Sequence, residues 1–169
     1  MAWGFMVPFV WGFSARWLAT FLGLRPACER GLMLMVAVNT AGVVLAMFGA
    51  CRVAVLLFPI GAAMSLLALR VAFPAVQPAK TQGVHASFPT FVRLAYGWLV
   101  VAALLGIWAG FARHPEGLWG ASRHALTVGF VATMVFSMGQ RLLPAFSGRR
   151  ALYSPALMAA SLVLLATPP

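Results

Sequence analysis

The feature that most limits what this chain can become is a succession of long stretches without any charge. Residues 31–51, 53–69, 94–112 and 125–140 carry no acidic or basic side chain. A helix needs about 20 apolar residues to cross about 30 Å of hydrocarbon, and these runs come close to that length. A soluble domain keeps roughly 25% of its residues charged so that its surface stays wet. Here only 8% are charged, 63% are hydrophobic and the mean hydropathy is +0.95. Lipid is the solvent that suits such a chain. In hydrocarbon each backbone N–H must be bonded inside its own helix or in a closed barrel. Barrel strands alternate apolar and polar residues, and these runs do not. The fold class expected is all-α: a polytopic transmembrane helix bundle of about six spans, in one domain over residues 1–169.

Six segments can be drawn. They are Gly4–Leu22, Gly31–Ala50, Val53–Phe73 (perturbed by Pro59), Phe88–Phe111, Ser122–Leu143 (ended by Pro144), and a last one from about Leu152 to Thr167. A polar connection, Pro74–Ser87, separates the third from the fourth. Met1–Leu22 has neither a basic leader nor a small-residue cleavage site, so it reads as the first span.

Basic residues give the orientation. Arg16, Arg25, Arg30, Arg70, Lys80, Arg93, Arg141, Arg149 and Arg150 adjoin the connections after spans one, three and five. Arg52, Arg113 and Arg123 adjoin the others. That is nine against three of the 12 basic residues. By the positive-inside rule the richer side is cytoplasmic, and the N-terminus and the connection Ala112–Ala121 lie outside. A start on the outside suits an internal piece of a longer protein. The net charge of +10 in a soluble protein would suggest nucleic acid. At span ends it reads as topology signal and lipid-headgroup contact, and nucleic acid is excluded as a partner.

Polar residues inside apolar runs are the candidates for function. His124 opens the fifth span near the outer face, and Thr127 shares its face one turn on. A neutral imidazole there can ligate haem iron or copper, or stay an interfacial histidine bonded to water or a headgroup. His85 and His114 lie in connections and read as solvated. Arg16, Arg93 and Arg141 lie at one depth near the inner boundary, the first two about 8 Å inside it. Together they can line an anion site, or each can snorkel to the headgroups. His124 and Gln140 are about 24 Å apart along one helix, so His124 and the arginine tier are two separate sites, or one of them is structural. Met134 and Met138 are one turn apart; with a third soft ligand they could bind Cu(I), and as gap-filling core residues, the favoured reading, they need no metal. Cys28 and Cys51 lie at opposite ends of one span, too far apart for a disulfide, which needs Cα atoms within about 7 Å. The two carboxylates, Glu29 and Glu116, both lie in connections, so no acid–base pair is visible.

The stretch Arg123–Arg149, R-H-A-L-T-V-G-F-V-A-T-M-V-F-S-M-G-Q-R-L-L-P-A-F-S-G-R, resembles the NnrS family, polytopic membrane proteins linked to the bacterial response to nitric oxide. Val92–Leu99, V-R-L-A-Y-G-W-L, and Trp11–Pro26, W-G-F-S-A-R-W-L-A-T-F-L-G-L-R-P, resemble two further family patterns, in family order. The resemblance covers most of the chain and matches the C-terminal half of a typical twelve-span member. It implies a bacterial inner-membrane protein associated with haem, with copper as the other metal. His124 would be the metal ligand, with Arg123 and Thr127 beside the cofactor. Gly129, Thr133, Met134 and Arg141 are further matching positions.

Two functions follow. One is an NnrS-like, haem-associated protein of nitrosative or respiratory stress. In it His124 ligates iron within an apolar bundle and leaves a position for nitric oxide or another small ligand. The alternative is a non-catalytic scaffold or transporter half, binding an anion or anionic lipid through Arg16, Arg93 and Arg141. A second copy of the chain, or the missing half of the same fold, is the expected protein partner.

Overall fold

A computed structural model describes residues 2–78, 87–146 and 154–166. Among the described residues there are helices and no strands. Helix α1 covers Ala2–Leu22, and its first turn, Ala2–Met6, is wound as π-helix. Helices α2, Glu29–Met47, and α3, Cys51–Ala68, form an antiparallel pair. Helix α4 covers Phe88–Phe111. Helix α5 spans residues 116–146 in three continuous parts: Glu116–His124, a π-helical stretch Ala125–Ala132, and Thr133–Phe146. Helix α6 is Pro155–Ala166. Five helices, α1 to α5, are long and apolar enough to cross a membrane. At 1.5 Å per residue the 12 residues of α6 reach about 18 Å, short of a bilayer core. The expected start of this last segment near Leu152 lies outside the described residues, as does Thr167.

Several boundaries differ from those the hydropathy predicts, and each has a local cause. Helix α2 begins at Glu29 rather than Gly31, because an acid in the first turn suits the helix dipole. It stops at Met47, ahead of Gly49 in the left-handed region at φ 82°. Helix α3 ends at Ala68 rather than Phe73, where Arg70 takes φ 57°. Helix α5 begins at Glu116, six residues before the predicted start. The Trp119 N–H donates to the Pro115 carbonyl at 3.1 Å, and Glu116 again supplies an acid in the first turn. Pro144 and Pro59 both lie inside continuous helix. Each removes one backbone bond, which spanning helices tolerate when neighbours compensate.

Helix α4 is the centre of the bundle: it packs on α3 along one side and on all three parts of α5 along the other. The two π-helical stretches touch each other, and α6 lies against that of α5. One continuous core joins Trp11, Leu18, Met35, Ala62, Tyr96 and Phe130. Lipid tails are as apolar as these side chains, so transfer from water does not bring the helices together; close packing does. Gly129 shows it. A Cβ there would stand 2.6 Å from Trp98 Cγ, so only glycine lets α5 approach α4 that closely. Helix α2 is the least buried of the five, and Met33, Leu34, Val36 and Val44 are exposed on it. That is the surface expected of a helix that meets lipid.

Candidate functional site

His124 ends the first α-helical part of α5, immediately before the π-helical stretch. It lies more than two turns inside the helix rather than at its start. The imidazole is exposed and hydrogen-bonds to no described residue. It faces out of the bundle, so a metal on it would lie against the outer surface and not in the apolar interior expected from the sequence. Arg123 and Thr127 are exposed beside it, but both are committed to backbone. Arg123 Nε donates to the Trp119 carbonyl at 3.2 Å, and Thr127 Oγ1 donates to the Arg123 carbonyl at 2.8 Å. Of the three predicted cofactor residues, His124 is the one whose side chain makes no hydrogen bond to a described residue, while Arg123 keeps its two Nη groups free. Just behind it, Ser122 is buried and its hydroxyl donates to the Ala102 carbonyl at 2.8 Å. This pins the start of α5 to α4.

The three tier arginines each have a separate partner. Arg93 is exposed and reaches across to the segment after α3, donating to the Val71 and Phe73 carbonyls at 3.3 Å each. Arg141 is half-buried, with its guanidinium carbon 3.9 Å from the centre of the Phe21 ring. Arg16 is exposed and lies 5.9 Å from the ring of its neighbour Trp17. Two of the three guanidiniums therefore brace helix ends: Arg93 joins α4 to α3, and Arg141 joins α5 to α1. His114 is exposed, and His85 lies outside the described residues. Cys28 and Cys51 are free and exposed. Met134 and Met138 are core residues. Among the described residues no three His, Cys, Asp or Glu side chains gather to hold a metal.

The interior carries buried polar side-chain atoms without partners among the described residues. Trp11 and Ser14 of α1, Tyr96 of α4 and Gln140 of α5 are buried. Trp11 Nε1, Ser14 Oγ, Tyr96 OH and Gln140 Oε1 have no hydrogen-bond partner among the described residues. The Tyr96 hydroxyl stands beside that of Ser14 without closing a bond of good geometry, and its ring packs edge-on against Phe130 with centroids 5.4 Å apart. Ser137, one turn from Gln140, donates instead to the Thr133 carbonyl at 2.7 Å. A buried polar atom without a partner costs about 1–3 kcal/mol. Ordered water is the usual partner of such groups.

Family comparison covers nearly the whole chain: the family model described as a domain of unknown function (DUF8744) matches residues 3–167. The chain belongs to the DUF8744 family. No curated protein and no solved structure matches it. The match runs from α1 through α6, so the buried polar groups, His124 and the braced arginines all belong to one DUF8744 unit. Sequence reasoning missed these buried polar groups, because Tyr96, Trp11 and Ser14 are ordinary residues in apolar runs. The available signal was the helical spacing that sets Ser14 on the face of Trp11 and Leu18.

Proposed function

We propose that this DUF8744 chain is a haem-associated membrane protein of the NnrS type, acting in the bacterial inner membrane in the response to nitric oxide or respiratory stress. The observation that carries the reading is the uncommitted, exposed imidazole of His124 at the start of a π-helical stretch. Departures from α-helix of this kind are frequent at functional sites. His124 is the residue that would hold a haem, through its imidazole nitrogen. Haem iron, when bound, supplies the coordination position at which nitric oxide binds. The chain's part is to hold that imidazole in place. Ser122 anchors the helix to α4. Arg123 and Thr127, bonded to backbone carbonyls, fix the turn that carries the ring. Because His124 faces outward, the cofactor would be covered from outside the chain, by lipid, by another copy of the chain or by a further half of the same fold. Copper is the other metal a single imidazole site would take. The scaffold reading on Arg16, Arg93 and Arg141 is less favoured, because Arg93 and Arg141 already brace helix ends.

The test is the absorbance spectrum of the full chain purified in detergent from haem-replete cells. A Soret band is expected in the native protein, and His124→Ala should remove it while helix content is unchanged. An equal haem-to-protein ratio in that variant would refute the ligand role, as would a colourless native protein.

A further inference from the structure

At the arginine-rich end of the bundle, opposite His124, lies a hollow of about 220 Å³ lined by Leu24, Arg25, Arg70, Phe73, Pro74 and Val76. Backbone bonds build its rim. Gly23, at φ 67°, ends α1, and its carbonyl accepts the Val76 and Gln77 N–H groups at 2.8 and 3.0 Å. The Cys28 N–H donates to the Ala68 carbonyl at 3.0 Å, tying the start of α2 to the end of α3. Arg93 holds Val71 and Phe73 from the α4 side.

Arg70 is the unusual residue in this rim. It is the one described non-glycine residue with positive φ, at 57°. It sits just past the end of α3, where a left-handed residue stops a helix and glycine is the usual choice. Gly23 plays that part for α1. A side chain with a Cβ is disfavoured in this conformation, and such strain is retained where the side chain has a task. Arg70 Nε is buried and unpartnered among the described residues. Arg25 lines the same hollow from the α1 side, exposed. The chain has 2 acidic residues against 12 basic ones, so counter-charge for most of its guanidiniums has to come from outside.

We propose that this hollow binds a phosphate group, carried by an anionic phospholipid or by a soluble phosphate. Guanidinium forks match phosphate oxygens in geometry and charge. Basic pockets between spanning helices at the membrane boundary take phosphate headgroups. Leu24, Phe73 and Val76 give the hollow an apolar wall, suited to the glycerol and first methylenes of a lipid. The site depends only on the helix arrangement and is independent of the haem reading.

The experiment follows thermal unfolding of the full chain in detergent by tryptophan fluorescence. The probes are phosphatidylglycerol, phosphatidylcholine and millimolar inorganic phosphate. Phosphatidylglycerol or phosphate should raise the Tm of the native protein in a salt-sensitive way, and phosphatidylcholine should not. A shift with phosphatidylglycerol alone assigns the lipid, and an equal shift with inorganic phosphate assigns the soluble ion. Arg70→Gly suits the local φ, so its probe-free Tm should be at least native, while its shift falls below about half. Arg16→Ala should keep the whole shift. The proposal is overturned if a folded Arg70→Gly/Arg25→Gln protein shifts as the native one does. It is equally overturned if neither anionic probe moves the native Tm.

Discussion

Gly129 is the residue whose replacement has the clearest physical consequence. In an ordinary helix, alanine would be favoured over glycine by about 1 kcal/mol. Here a Cβ would stand 2.6 Å from Trp98 Cγ and 2.9 Å from Trp98 Cβ. Those atoms are close to the α4 backbone and cannot swing away. Overpacking of this kind costs about 1–3 kcal/mol, so the clash outweighs the propensity. Gly129→Ala should lower the Tm in detergent, and Trp98→Ala in the same background should recover part of the loss. The identity of Gly129 was visible in the sequence as a small residue that permits close helix approach. Its contact was not, because nothing local says which indole faces it. The same holds for His124. Its presence in the first part of the fifth helix was legible. Its outward direction depends on how α5 is rotated against α4, which is a property of packing.

At the scale of the elements, hydropathy located the helices and misplaced their ends. Long apolar runs are a strong signal because hydrocarbon admits few other structures. Ends are decided by single residues: Glu29 and Glu116 at the starts, Gly23, Gly49 and Arg70 at the stops. The depth of Arg93 was also legible, but its role as a brace was not. Depth alone does not separate a guanidinium that binds an anion from one that caps carbonyls. The bonds to Val71 and Phe73 at 3.3 Å are long and partly exposed, so their net worth is about 1 kcal/mol. Arg93→Ala should therefore leave the bundle folded and loosen only the end of α3. Amide hydrogen exchange should rise over residues 69–77 and stay unchanged along α4. A global rise would mean that Arg93 holds the core together and does not serve as a local clasp.

For the whole molecule, the balance of forces is that of a bundle in lipid. Exposed Met33, Val44, Leu67, Leu104, Trp108 and Val135 would drive aggregation in water and are ordinary against acyl chains. Composition alone therefore set the class of molecule. The order of packing, with α4 in the middle, came from matching surfaces that no single segment reveals. Two native thiols report on the arrangement directly. Cys28 precedes α2 and Cys51 begins α3; both are free and exposed, and α2 with its 19 residues separates them by about 28 Å. A membrane-impermeant maleimide applied to intact cells or spheroplasts, with Cys28→Ser and Cys51→Ser to assign the signal, tests the central claim that the helices cross the bilayer with their arginine-rich ends toward the cytosol. The account predicts that Cys51 is modified from outside, while Cys28 reacts only after the membrane is opened. Modification of both thiols from the same side would contradict it.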